Sequence, residues 1–207
     1  MIKLLDILEL NIQKKPFIGR GGEADVYDFN KQSDKVIKYQ KGDTFGMNDR
    51  SWEDNISIMN DNPDIFVKVY KNNPEKHYLV LEKVNAKKVV EEVKEITKIF
   101  IDQNNKDKKL FYAEDAGWIK PPTFEGIYES SGIIDPINIA RTGILKGNTS
   151  DIKLILNILK PYPDLFNTFK NWVKFIELIN SKIGLRIDFS FENVGYDKQG
   201  NLKMFDF

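Results

Sequence analysis

The chain has 207 residues, 41% hydrophobic and 30% charged, which suits one domain or two small lobes with a buried core. Lys and Arg number 31 and so do Asp and Glu, and this balance calls for neither a nucleic-acid nor an acidic-membrane partner. Cysteine is absent, which excludes disulfides and thiolate zinc sites. The apolar runs are too short to span a bilayer, and the start "MIKLLDILEL" lacks the features of a signal peptide, so a cytoplasmic location is expected.

Leu4, Leu5, Leu8 and Ile12 recur at helical spacing and predict a short amphipathic lead-in over residues 2–12. After Pro16, "FIGRGGEADVYDF" reads as strand, glycine turn, strand, and "DKVIKYQ" as a further strand. Residues 47–60 place Trp52, Ile56 and Met59 on one helical face, and Asn62-Pro63 ends that helix. "DIFVKVY" and "HYLVLEKV" read as two more strands joined by "KNNPEK".

The second half is mainly helical. "AKKVVEEVKEITKIFIDQ" is amphipathic through Val89, Val93, Ile96 and Ile99 or Phe100. Residues 111–149 are rich in Gly and Pro and predict a long, partly irregular connection carrying a short strand pair. Two helices follow, "DIKLILNILK" and "DLFNTFKNWVKFIELINSKIG", stopped by Pro161 and Gly184. Short strands "NVGYD" and "LKMFDF" flank the turn "DKQGN".

Several residues carry chemistry in this pattern. Gly19, Gly21 and Gly22 lie between two strands, where backbone amides can approach a phosphate without a Cβ in the way, although such a turn is more often a plain hairpin. Lys38 shares its strand face with Val36, and Glu53 on the following helix is a candidate partner, with Asp54 as competitor. Asp188, Asn193 and Asp206 are acidic or amide side chains set among apolar residues. A buried carboxylate needs a cation, a metal or a reacting hydroxyl. His77, the single histidine, has no second ligand of its kind and reads as a turn residue, and Trp52, Trp118 and Trp172 read as packing residues.

Together these stretches resemble the protein-kinase-like superfamily. "RIDFSFENV" resembles the catalytic loop, "GNLKMFDF" the run into the metal-binding Asp-Phe-Gly, "GRGGEADVY" the glycine-rich loop, "VIK" the strand lysine and "YLVLEKV" the strand into the hinge. The order of these motifs and the spacing of Asp188 and Asp206 are those of the family.

The resemblance implies an α+β, two-lobed fold: residues 1–84 a small antiparallel β lobe with one helix, residues 85–207 a reduced, mainly helical lobe. It implies ATP bound by Gly19, Gly21, Gly22 and Val26, with Lys38 on the α/β-phosphates, Glu53 orienting Lys38, and backbone groups of Glu82 and Val84 toward adenine. It also implies Mg2+ on Asn193 and Asp206, with Asp188 as the catalytic carboxylate at an acceptor hydroxyl of a protein or small molecule.

Departures from the family pattern bear on function. Ala24 replaces the third loop glycine, and Arg186-Ile187 stand where the family has His-Arg. The sequence stops at Phe207, before the activation segment and the peptide-binding helices, so a protein partner that completes the second lobe enters the expectation. The alternative is a catalytically inactive, kinase-like module for nucleotide binding or protein interaction.

Overall fold

The computed structural model describes residues 15–20, 24–29, 33–40, 52–107, 135–184 and 189–206. These are α+β and fall into two compact units: Met1–Asn85 together with Tyr196–Phe207, and Ala86–Gly195. The terminal residues 196–207, which the sequence reading assigns to the second lobe, thus group with the first unit. The expected lead-in at residues 2–12 lies outside the described residues.

The first unit is built on one antiparallel sheet. Its strands are β1 (Phe17–Arg20), β2 (Ala24–Asp28), β3 (Lys35–Gln40), β4 (Val69–Asn73) and β5 (Tyr78–Glu82), in the order β1-β2-β3-β5-β4. Tyr78-Leu79-Val80-Leu81 is apolar without alternation and buried throughout, as a strand covered on both faces must be, so β5 lies inside the sheet. β4 carries Tyr70 and Lys71 and takes the edge. Between them Asn73 accepts from the Lys76 amide across the 3-10 turn Pro74–Lys76, and His77 closes it with φ 52°.

The helix α1 (Trp52–Asp61) buries Asn55, Ile56 and Met59 on one side. Its end is set by Asn62, whose side chain donates to the Ile58 carbonyl. The Asn62 carbonyl then accepts from the amides of both Ile65 and Phe66. "DIFVKVY" therefore does not form the expected single strand: its first residues coil back on Asn62, and regular pairing begins only at Val69. Ile65, Phe66 and Val67 are nonetheless at most 1% exposed.

The terminal segment forms a hairpin, β6 (Val194–Tyr196) with β7 (Leu202–Met204). Asp197 shapes its turn by accepting from the Gln199 and Asn201 amides. Gly200 sits at φ 84°, a conformation that favours glycine. Asn85 and Tyr196 exchange both backbone hydrogen bonds, at 2.8 and 3.3 Å, so the two chain segments of the first unit meet there.

The second unit is helical: α2 (Ala86–Asp107), α3 (Pro136–Leu145), α4 (Ser150–Leu159) and α5 (Pro163–Lys182). The core is supplied at helical spacing, by Val89, Val93, Ile96 and Phe100 on α2 and by Phe169, Trp172, Ile176 and Ile179 on α5. Lys87 with Glu91 and Lys88 with Glu92 form i,i+4 ion pairs on the outer side of α2.

The helix α3 corrects the expectation of an irregular connection over 111–149. The pair Asp135-Pro136, part of that Gly- and Pro-rich stretch, is a helix start: Asp135 is the N-cap and accepts from the Ile137 amide at 2.9 Å, and Pro136 takes the first turn, where no N–H is needed. The remainder of that stretch, residues 111–134, lies outside the described residues.

Candidate functional site

Sheet register gathers three of the expected nucleotide-site residues in the first unit. Gly19 pairs with Val26, Val26 with Lys38, and Lys38 with Leu79. Directly opposed residues of antiparallel strands project to the same face, so Val26, Lys38 and Leu79 share one side of the sheet. Ile37, Tyr78 and Val80 form a buried cluster on the other side, with Phe29 against it. A Cβ built on Gly19 would meet nothing within 4 Å, so the fold itself makes no demand for glycine there.

Lys38 is only 7% exposed. An ammonium so far from water needs a counter-charge, and Asp206 supplies it: Asp206 Oδ1 lies 2.6 Å from Lys38 Nζ. The Asp206 side chain is 44% exposed, so the pair has a buried cationic end and an open anionic end.

Backbone pairing brings Asp206 to this place. Met204, two residues earlier, donates its amide to the Ile65 carbonyl at 2.8 Å and accepts from the Val67 amide at 2.9 Å. Phe66 and Met204 thus form an isolated parallel bridge. Lys203 adds a side-chain bond to the Pro63 carbonyl. Sequence reasoning did not identify this attachment. Its trace in the sequence is the alternation of Leu202 and Met204, both buried, around Lys203.

The other expected site residues fall as follows. Glu53 opens α1 and is exposed, and the ion pair seen at Lys38 goes to Asp206 and not to Glu53. Glu82 pairs with Lys35, which alternates with Lys38, so its side chain lies on the opposite sheet face. Its carboxylate accepts from the Lys68 amide. The Glu82 amide donates to the Lys68 carbonyl and the Lys83 amide to the Asp34 carbonyl, at 2.9 and 2.7 Å. Val84 is half-buried between the pinned residues Lys83 and Asn85. Nearby, Lys83 pairs with the largely buried Asp28 at 3.1 Å.

In the second unit, Asn193 ends the 3-10 turn Phe191–Asn193, and its amide donates to the Ser190 carbonyl at 3.0 Å. The Ser190 hydroxyl accepts from the Glu192 amide. Phe189 anchors the start of this turn. Its ring meets Trp172 edge-on at 6.2 Å, and the Arg141 guanidinium lies 5.9 Å from its centroid. Asp188, Gly21 and Gly22 lie outside the described residues.

Among the described residues no three acidic or histidine side chains cluster as a metal-binding group, and no helix is long and apolar enough to cross a membrane. No protein-family model, no curated protein and no solved structure matches the chain.

Proposed function

We propose that this chain has a protein-kinase-like fold and is an ATP- and magnesium-dependent phosphotransferase acting on a hydroxyl. The observation that carries the reading is the ion pair of the buried Lys38 with the half-exposed Asp206 on the sheet face shared with Val26. A fixed ammonium suits phosphate oxygens and a neighbouring open carboxylate suits a hard divalent cation. In this reading Lys38 holds the donor phosphates, with Asp206 and Asn193 as the magnesium ligands. Magnesium, when bound, neutralises charge on the phosphate oxygens.

Asp188 orients the acceptor hydroxyl and accepts its proton. The hydroxyl oxygen bonds to the γ-phosphorus as the bond to the β-bridging oxygen breaks, and ADP leaves. The acceptor is a protein or small-molecule hydroxyl.

A second reading, a nucleotide-binding or interaction module without turnover, is favoured by the exposed position of Glu53. The test is ATP consumption and radiolabel transfer by the native chain and by Asp188→Asn, with ATP affinity measured alongside. The phosphotransferase loses about 10²–10⁴-fold in turnover with near-native affinity, as removal of a general base does. Undiminished turnover in Asp188→Asn overturns the mechanism. Binding without turnover in both proteins selects the second reading.

A further inference from the structure

The carboxylate of Asp206 reaches Lys38 from two residues beyond the end of β7, and its side chain is 44% exposed. Met204 is the anchored residue of this segment. It is 0% exposed, its amide donates to Ile65, and its carbonyl accepts from Val67. Two residues span at most about 7 Å of chain, so fixing Met204 fixes where Asp206 can go.

The anchor is itself rigid. Ile65, Phe66 and Val67 are three consecutive buried apolar residues, and the Asn62 carbonyl ties the amides of Ile65 and Phe66 to the end of α1. Met204 is fully buried, so removing side-chain volume there leaves a void beside the two backbone bonds, into which the strand is expected to shift.

We propose that Met204 is the positioning residue for Asp206: seated between Ile65 and Val67, it sets the distance from the carboxylate to the Lys38 ammonium. Its importance for catalysis rests on the phosphotransferase reading. Its effect on the ion pair does not. The consequence for the site is specific. A displaced Asp206 carboxylate weakens the ion pair with Lys38 and, on the phosphotransferase reading, shifts a residue that would hold magnesium. A defect at Met204 should therefore weaken binding of ATP in the presence of magnesium and spare binding of ATP without it.

The experiment reads the ion pair directly, with no nucleotide present. The full chain is treated with limiting acetic anhydride, and acetylation of Lys38 is followed by mass spectrometry in the native chain, Asp206→Asn, Met204→Ala, Met204→Val and Met204→Leu. Melting curves identify which variants are folded. Asp206→Asn should speed acetylation of Lys38 about tenfold, since a bond to a charged group is worth a factor of that order. Met204→Ala should approach the Asp206→Asn rate, Met204→Val should fall between, and Met204→Leu, which restores volume, should return to the native rate. Native-rate acetylation in folded Met204→Ala or Met204→Val, with Asp206→Asn accelerated, overturns the proposal. So does an unaccelerated Asp206→Asn. If Met204→Ala does not fold, Met204→Val decides.

A second arm titrates ATP with and without magnesium into the same proteins. Loss confined to the magnesium arm in Met204→Val supports the positioning role in the phosphotransferase. A native chain that binds no ATP in either arm removes the phosphotransferase reading, while the acetylation series still decides what Met204 does.

Discussion

The two units of this chain are held together by different physics. In the second, Ala86–Gly195 is one continuous stretch, and its helices bury apolar residues at helical spacing, so near neighbours in sequence build much of the core. The first is discontinuous: residues from Lys38 to Asp206 meet across most of the chain, through backbone pairing at Asn85–Tyr196 and Ile65–Val67 with Met204. Its candidate site is an ion pair whose members are 168 positions apart. The helical unit is thus expected to respond to packing defects. The sheet unit is expected to respond to the loss of a few specific long-range contacts.

The sharpest way to break this comparison is in the helical core. Trp172 is fully buried, and its indole N–H has no hydrogen-bond partner among the described residues. Trp172→Ala should cost about 3–5 kcal/mol, read by denaturant unfolding. Trp172→Phe should cost far less, because it deletes the unpartnered N–H along with part of the ring. Equal losses for the two would mean that the N–H has a role the packing account omits.

Next comes pH. Asp135 is raised from 3.8 to about 6, first by burial, with the Ile137 and Asn138 amides opposing that rise. A folded pKa above the unfolded value means stability that is fully present below about pH 3.8 and is lost as pH rises through about 6. The helical unit should therefore weaken between pH 5 and 7.5 by on the order of 1 kcal/mol, the part of the shift's effect that falls above pH 5. Asp135→Asn keeps an N-cap acceptor and should remove that dependence, which melts at both pH values will check. A dependence that persists in Asp135→Asn assigns it to another group.

In the sheet unit the ion pair should matter less for stability than for ligand. Asp206 is nearly half-exposed, so Asp206→Asn should cost only about 1 kcal/mol. Calorimetry should show that magnesium strengthens ATP binding in the native chain and not in this variant. An equal magnesium effect in both proteins removes Asp206 from the metal site.

The smallest stability effect is expected at Gly19. A Cβ has open space there, so Gly19→Ala should change stability by less than about 0.5 kcal/mol. Any loss of ATP affinity in this variant then reports close approach of phosphate to the backbone. Unchanged affinity would argue that no ligand comes near it.

Local pattern marked most of the elements and the cast of candidate residues. The apolar run in "HYLVLEKV" marked a strand, and helical periodicity marked α2, α4 and α5. Asp206 stood out because a carboxylate set among apolar neighbours needs a partner, and Lys38 because it shares a strand face with Val36. The start of α3 was misread because Asp-Pro is a turn signal and a helix N-terminus alike, and only the bond from Ile137 to Asp135 distinguishes them. Tertiary structure alone decided that Lys38 pairs with Asp206 and that Glu53 lies exposed. It also decided that Ile65–Val67 serves as an anchor for Met204, and that the terminal segment joins the first unit. The reason is range: periodicity records which side of an element is buried, whereas the choice of partner depends on residues more than a hundred positions away, whose positions no local pattern encodes.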